Sequence, residues 1–91
     1  MKLKTTHISA ANMVKEASEA YIKYWQTAWD KEDVKRYRAD LRISYTDAAD
    51  LFCIGHLLEQ NRIEEARVLA NSLDTAVREE IPDAAWDFLH Q

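Results

Sequence analysis

Glycine, proline and cysteine are almost missing from this chain, with one of each in 91 residues. An all-β fold needs a turn every dozen residues or fewer, and turns are built largely from glycine and proline. One Gly and one Pro therefore exclude a β-sandwich or barrel, and a single glycine cannot build a phosphate-cradling loop. A lone thiol, Cys53, forms no internal disulfide. No apolar run reaches the roughly 18 residues of a membrane span, and no greasy segment of a signal peptide follows Met1. These absences point to a reducing cytoplasm and away from the membrane. No nucleophile motif such as G-x-S-x-G occurs, and no paired Cys or His spacing suits a structural metal. The chain is accordingly read as non-enzymatic and free of cofactors.

What is present favours helices: Ala, Leu, Glu, Lys and Arg dominate. The length suits one domain, 1–91, with residues 1–8 as a short basic tail. The net charge of −4 is unevenly spread. Residues 1–42 carry nine Lys/Arg against six Asp/Glu, and residues 43–91 carry three against ten. The halves can attract each other or address different partners.

The most apolar stretch is Ala48-Ala49-Asp50-Leu51-Phe52-Cys53-Ile54-Gly55-His56-Leu57-Leu58. Ala48, Leu51, Phe52 and Leu58 recur at helical steps, with Ile54 and Leu57 on a second side, so a central buried helix is expected. Ser44 or Thr46 is its expected cap. Gly55 costs about 1 kcal/mol against alanine in mid-helix, which close approach by a crossing helix would explain.

A first helix is expected from a Ser9 cap to about Trp29, with an apolar arc of about half its circumference broken only by Ser18. Val34, Tyr37 and Leu41 then fall out of phase. A break near Asp30, a second helix over 31–42 and a connection over 43–46 account for this. Gln60-Asn61-Arg62 closes the central helix, since Asn tolerates the left-handed conformation. Ile63, Ala66, Leu69, Ala70, Leu73, Ala76, Val77 and Ile81 form a stripe predicting one helix over 63–81. Pro82 stops it and opens a last short helix from Asp83 to about His90, an apolar plug of Ala85, Trp86, Phe88 and Leu89. The expected fold is all-α: a compact bundle of about five helices with a central apolar helix and a C-terminal αα-hairpin plus a short capping helix.

Gly55, Ile63-Glu64-Glu65-Ala66 and the Ala70/Leu73 spacing resemble one tetratricopeptide-type repeat over about a third of the chain. The spacing is one residue short between Gly55 and Ala66, and no second copy follows. Repeat folds need about three units, so the pair reads as generic hairpin packing.

Cys53 and His56 share a helix face, and read as a small buried thiol beside a half-buried imidazole rather than as metal ligands. Lys31, Lys35, Arg36, Arg38 and Arg42 form the one basic cluster. Lys35, Arg38 and Arg42 share a face that could contact nucleic-acid phosphates, but Glu32, Asp33 and Asp40 are interleaved, as on a solvated face. The acids Glu64, Glu65, Asp74, Glu79 and Asp83 are a second candidate face, suited to a basic target surface.

The aromatics of the first helix are the sharper signal. Tyr21, Tyr24, Trp25 and Trp29 sit within nine residues. Trp and Tyr are enriched at interface hot spots, and so small a domain cannot easily bury so wide an arc. Tyr21, Ile22, Trp25 and Trp29 are therefore the candidate protein interface, with a second copy as the simplest occupant. The expectation is a small protein-binding regulator or inhibitor, dimeric, of the sort found among phage and bacterial antirepressors and anti-defence proteins. The alternative is a nucleic-acid-associated protein using the basic helix.

Overall fold

Thr6 starts the first helix by a reciprocal cap. Its Oγ1 accepts from the Ser9 backbone N–H at 3.1 Å, and Ser9 Oγ accepts from the Thr6 N–H at 2.9 Å. The Thr6 carbonyl already accepts from the Ala10 N–H at 2.9 Å. This is the capping-box arrangement with serine in the acceptor role, and it moves the cap from the expected Ser9 to Thr6. Ser9 is the third helical residue and returns the bond.

The computed structural model describes the backbone of residues 4–28 and 38–91, with side chains described for 4–26 and 45–91. Five helices lie in that part: α1 (His7–Ala28), α2 (Arg38–Glu59), α3 (Ile63–Ser72), α4 (Thr75–Arg78) and α5 (Asp83–Leu89). The described residues contain no strand, and they pack as an all-α bundle measuring 48 × 27 × 20 Å. Trp29, Lys35, the break at Asp30 and most of the helix expected over 31–42 lie outside the described residues.

α1 and α2 run antiparallel along their lengths. Gln26 Nε2 donates to Tyr45 Oη at 3.2 Å, Tyr21 Oη donates to Asp47 at 3.3 Å, and Ser18 Oγ donates to the Ala48 carbonyl at 2.7 Å. Farther along, Lys15 pairs with Glu59. Ser18, the one polar residue in the apolar arc, is thus buried and bonded to the neighbouring helix. At Gly55 the two backbones approach closely. A Cβ there would stand 3.1 Å from the Ala11 carbonyl oxygen, as close packing by a crossing helix requires.

The core joins Ala10, Ala11 and Val14 of α1 to Leu51, Ile54 and Leu58 of α2. Ala66, Ala70, Leu73, Val77, Ile81, Ala85 and Leu89 complete it from the C-terminal segment. Burying these apolar groups is the main favourable contribution to the fold. At the end of α2, Asn61 takes φ 61°, and Arg62 and Asn61 donate to the Leu57 and Leu58 carbonyls at 2.8 and 2.9 Å. This Schellman closure, with Asn in the left-handed position, makes the αα-hairpin turn as the sequence implied.

Two helix boundaries differ from expectation. α2 runs unbroken through residues 43–46, so Ser44 and Thr46 are interior residues and not caps. Nothing in 43–46 prevents helix, because neither Gly nor Pro occurs there and Ser and Thr are tolerated in helix interiors. The long helix expected over 63–81 is instead broken after Ser72. Leu73 and Asp74 are extended, with ψ of 149° and 150°. Ser72 Oγ bonds back to the Leu69 carbonyl at 2.6 Å, one of the local bonds by which Ser, Asp and Thr compete with helix. Arg78 compensates for the break by donating to the carbonyls of Asn71 and Leu73 at 3.2 and 3.0 Å. Pro82 then precedes α5, which is anchored to α3 by His90 against Asn71 at 2.8 Å.

Candidate protein-binding surfaces

The aromatic end of α1 is a connected array. Trp25 meets Tyr21 edge-on at 6.2 Å between centroids and Tyr24 at 5.5 Å. Tyr21 and Trp25 are half-buried, whereas Tyr24 is 64% exposed. Edge-to-face pairs of this kind hold rings in fixed orientations and present rigid apolar area. Burial, then the negative charge of Asp47, raises the Tyr21 pKa above its ordinary value. Its hydroxyl therefore stays a donor toward Asp47.

The structure separates the expected interface residues. Tyr21 and Trp25 are brought together. Ile22, half-buried, falls on the flank of α1 shared with Lys15 and Gln26, which faces the outer side of α2. Trp29 lies outside the described residues. Sequence reasoning missed two aromatics on that outer side: Phe52, expected in the core, is 48% exposed, and Tyr45, expected in a connection, is 44% exposed. Both follow from the observed register of α2, which turns Leu51, Ile54, Gly55 and Leu58 inward and leaves Tyr45, Ala49, Phe52 and His56 outward. The central helix is accordingly one-sided, not apolar on both sides as its composition suggested. The amino group of Lys15 lies 5.7 Å from the Phe52 ring centre, so the ring takes part in a cation–π contact at the surface.

Glu64, Glu65, Asp74, Glu79 and Asp83 are all exposed. Because the helix breaks at Leu73 and Asp74, they do not share one continuous helical face. Glu64 and Glu65 rim a shallow groove of about 350 Å³ whose wall is Val68, Leu69 and Ser72. Glu79 and Asp83 line a separate cleft of about 280 Å³ with Thr75, Arg78, Ile81 and Trp86. Glu65 is paired with Arg62, and Glu64 lies 3.8 Å from Arg67, so the first groove is partly neutralised.

Arg38 and Arg42 belong to α2, but their side chains, like Lys35, lie outside the described residues. Cys53 and His56 are both exposed, not a buried thiol beside a half-buried ring. Among the described residues no group of three or more His, Cys, Asp or Glu is placed to hold a metal ion. Among them, too, no helix is long and apolar enough to cross a membrane. No protein-family model, curated protein or solved structure matches the chain.

Proposed function

We propose that this chain is a small non-enzymatic protein-binding regulator or inhibitor that engages its target through the aromatic end of α1. The observation that supports this reading is the Tyr21–Trp25–Tyr24 array. Its rings meet edge to face, and its outermost member is largely exposed. Aromatic side chains of this kind supply large contact area with little entropy to lose, which is why they anchor interfaces. The exposed thiol of Cys53 suits a reducing compartment such as the cytoplasm.

The test is capture from host lysate on the immobilised chain, with and without nuclease, repeated with a Tyr24→Ser/Trp25→Ala variant. A stoichiometric protein that survives nuclease, and is lost with a variant still helical by circular dichroism, is the expected result. Capture that vanishes with nuclease would replace this reading by nucleic-acid binding through Lys35, Arg38 and Arg42, with a steep salt dependence. If the variant unfolds, the aromatics serve the core and the proposed surface is wrong.

A further inference from the structure

We infer that the outer face of the α1/α2 hairpin docks a second copy of this chain about a two-fold axis. Five large apolar side chains are exposed among the described residues, and three of them, Ile8, Tyr45 and Phe52, lie on this face. Ile8, Lys15 and Ile22 follow one another at seven-residue steps on α1. Tyr45, Phe52 and Glu59 do the same on α2. The contacts Gln26–Tyr45, Lys15–Phe52 and Lys15–Glu59 hold the two rows side by side. Rows with this spacing are the seam by which helices pack onto further helices.

Charge selects the occupant. The chain as a whole carries −4, so a second copy is accepted only where the charges of the two surfaces balance. Lys15 and Glu19 stand one turn apart on the outer flank of α1. An axis crossing α1 between them lays each α1 antiparallel on its copy, and Lys15 of each then faces Glu19 of the other. Such reciprocity is what a two-fold interface demands.

The same axis has consequences on α2. Ser18 lies against Ala48, and Gly55 against Ala11 and Lys15, so the axis meets α2 between Ala49 and Phe52. Each Phe52 ring then faces the small Ala49 of the other copy, and each Tyr45 faces His56. Phe52 is met by a small residue, the Tyr45 and His56 rings meet each other, and no like charges oppose among these four residues. From Ile8 to Gln26 the face is about 27 Å long, and two helices side by side are roughly 20 Å wide. Two copies therefore cover roughly 1,100 Å², just above the ~1,000 Å² expected of a specific interface. Tyr24 is on the opposite flank of α1, so this dimer leaves the proposed target surface open and stands independently of it.

Sedimentation equilibrium on the full chain across the micromolar range tests the inference, with circular dichroism as the check on folding. The wild-type chain should sediment as a dimer. Phe52→Glu should weaken that dimer roughly a hundredfold or more while leaving the helices intact. Lys15→Glu and Glu19→Lys each bring like charges together and should sediment as monomers. Mixed in equal amounts, the two variants should form a heterodimer, since position 15 of each then faces the opposite charge at position 19 of the other. Lys15→Glu also loses its bond to Glu59; should it unfold, Glu19→Lys and Phe52→Glu decide, and dimers in both would overturn the inference. A wild-type chain that remains monomeric, or folded variants that do not pair on mixing, would overturn it as well. None of those results bears on target capture through Tyr24 and Trp25.

Discussion

Gly55 lies directly beneath Lys15: a Cβ on Gly55 would fall 2.7 Å from Lys15 Cγ and 3.3 Å from the Lys15 backbone nitrogen. The near end of the lysine side chain and the backbone of α1 thus occupy the space a side chain would need. Gly55→Leu should lower stability by about 3 kcal/mol, the upper part of the range for overpacked sites. Gly55→Ala gains about 1 kcal/mol in helix propensity but adds the clash, so its net effect should be a smaller loss. Removing Lys15 Cγ in a Lys15→Ala background should turn that loss toward neutral. A double-mutant cycle by chemical denaturation measures the coupling, and strictly additive effects would show that the contact is not felt.

Among the described residues Ser18 is the one buried polar side chain, and its hydroxyl donates to the Ala48 carbonyl. That carbonyl remains within the hydrogen-bonded backbone of α2 when the hydroxyl is removed, so no buried acceptor is orphaned. Ser18→Ala should therefore cost only about 1 kcal/mol, the net worth of an ordinary hydrogen bond. Ser18→Leu, which forces a larger group between the helices, should cost about 2–3 kcal/mol. Thermal melts of the two variants check the order, and equal losses would contradict this packing.

The Arg78 guanidinium serves as the clasp on the broken helix, bonding to the carbonyls of Asn71 and Leu73 and lying 5.7 Å from the Trp86 ring centre. Arg78→Met retains much of the apolar stem but leaves those carbonyls unbonded by it, and should cost about 1–3 kcal/mol. Arg78→Lys should recover little, because a single ammonium lacks the planar fork that lies on the ring while reaching two carbonyls. Hydrogen exchange of the α4 and α5 amides should accelerate in both variants. Full rescue by lysine would show that charge alone matters.

The sequence revealed where the core lies more readily than where the backbone bends. Gly55 was legible because one glycine in an apolar helix needs a steric reason, and Asn61 because few residues accept its φ. The stripe Ile63, Ala66, Leu69, Ala70, Leu73, Ala76, Val77 and Ile81 was also legible in the main: five of its members are buried, Ile63 and Leu69 are half-buried, and Ala76 alone is exposed. The break inside that stripe was hidden, since two extended residues at 73–74 leave the three- and four-residue spacing of burial intact. The outward turn of Tyr45 and Phe52 was hidden for a different reason. Ala48, Leu51 and Leu58 fit helical registers that bury either Phe52 or Ile54, and only the contact of Gly55 with α1 decides between them. Of the candidate interface, Tyr21 and Trp25 were read together from spacing, but the parting of Ile22 from them depends on where α2 packs.

Asp47 and Glu59, both on α2, should respond to pH in opposite directions. Burial, followed by the charges of Asp50 and Asp74, raises the Asp47 pKa above its ordinary 3.8, although the bond from Tyr21 pulls it down. A carboxyl whose pKa is higher in the folded chain holds its proton more tightly there. Its contribution to stability is full below the unfolded value and is lost as pH rises through the folded one. Asp47→Asn, which can still accept from Tyr21, should therefore raise Tm at neutral pH, and the gain should vanish well below pH 3.8. Glu59 is shifted the other way by its hydrogen bond and charge attraction to Lys15, which lower its pKa from 4.5. Its contribution is present above the unfolded value and is lost as pH falls through the folded one, and at so exposed a pair it is small. Glu59→Gln should thus lower Tm slightly at neutral pH and be neutral in acid. Melts of both variants against wild type across that range check the signs, and an Asp47→Asn chain less stable than wild type at neutral pH would show that its charge is welcome where it lies.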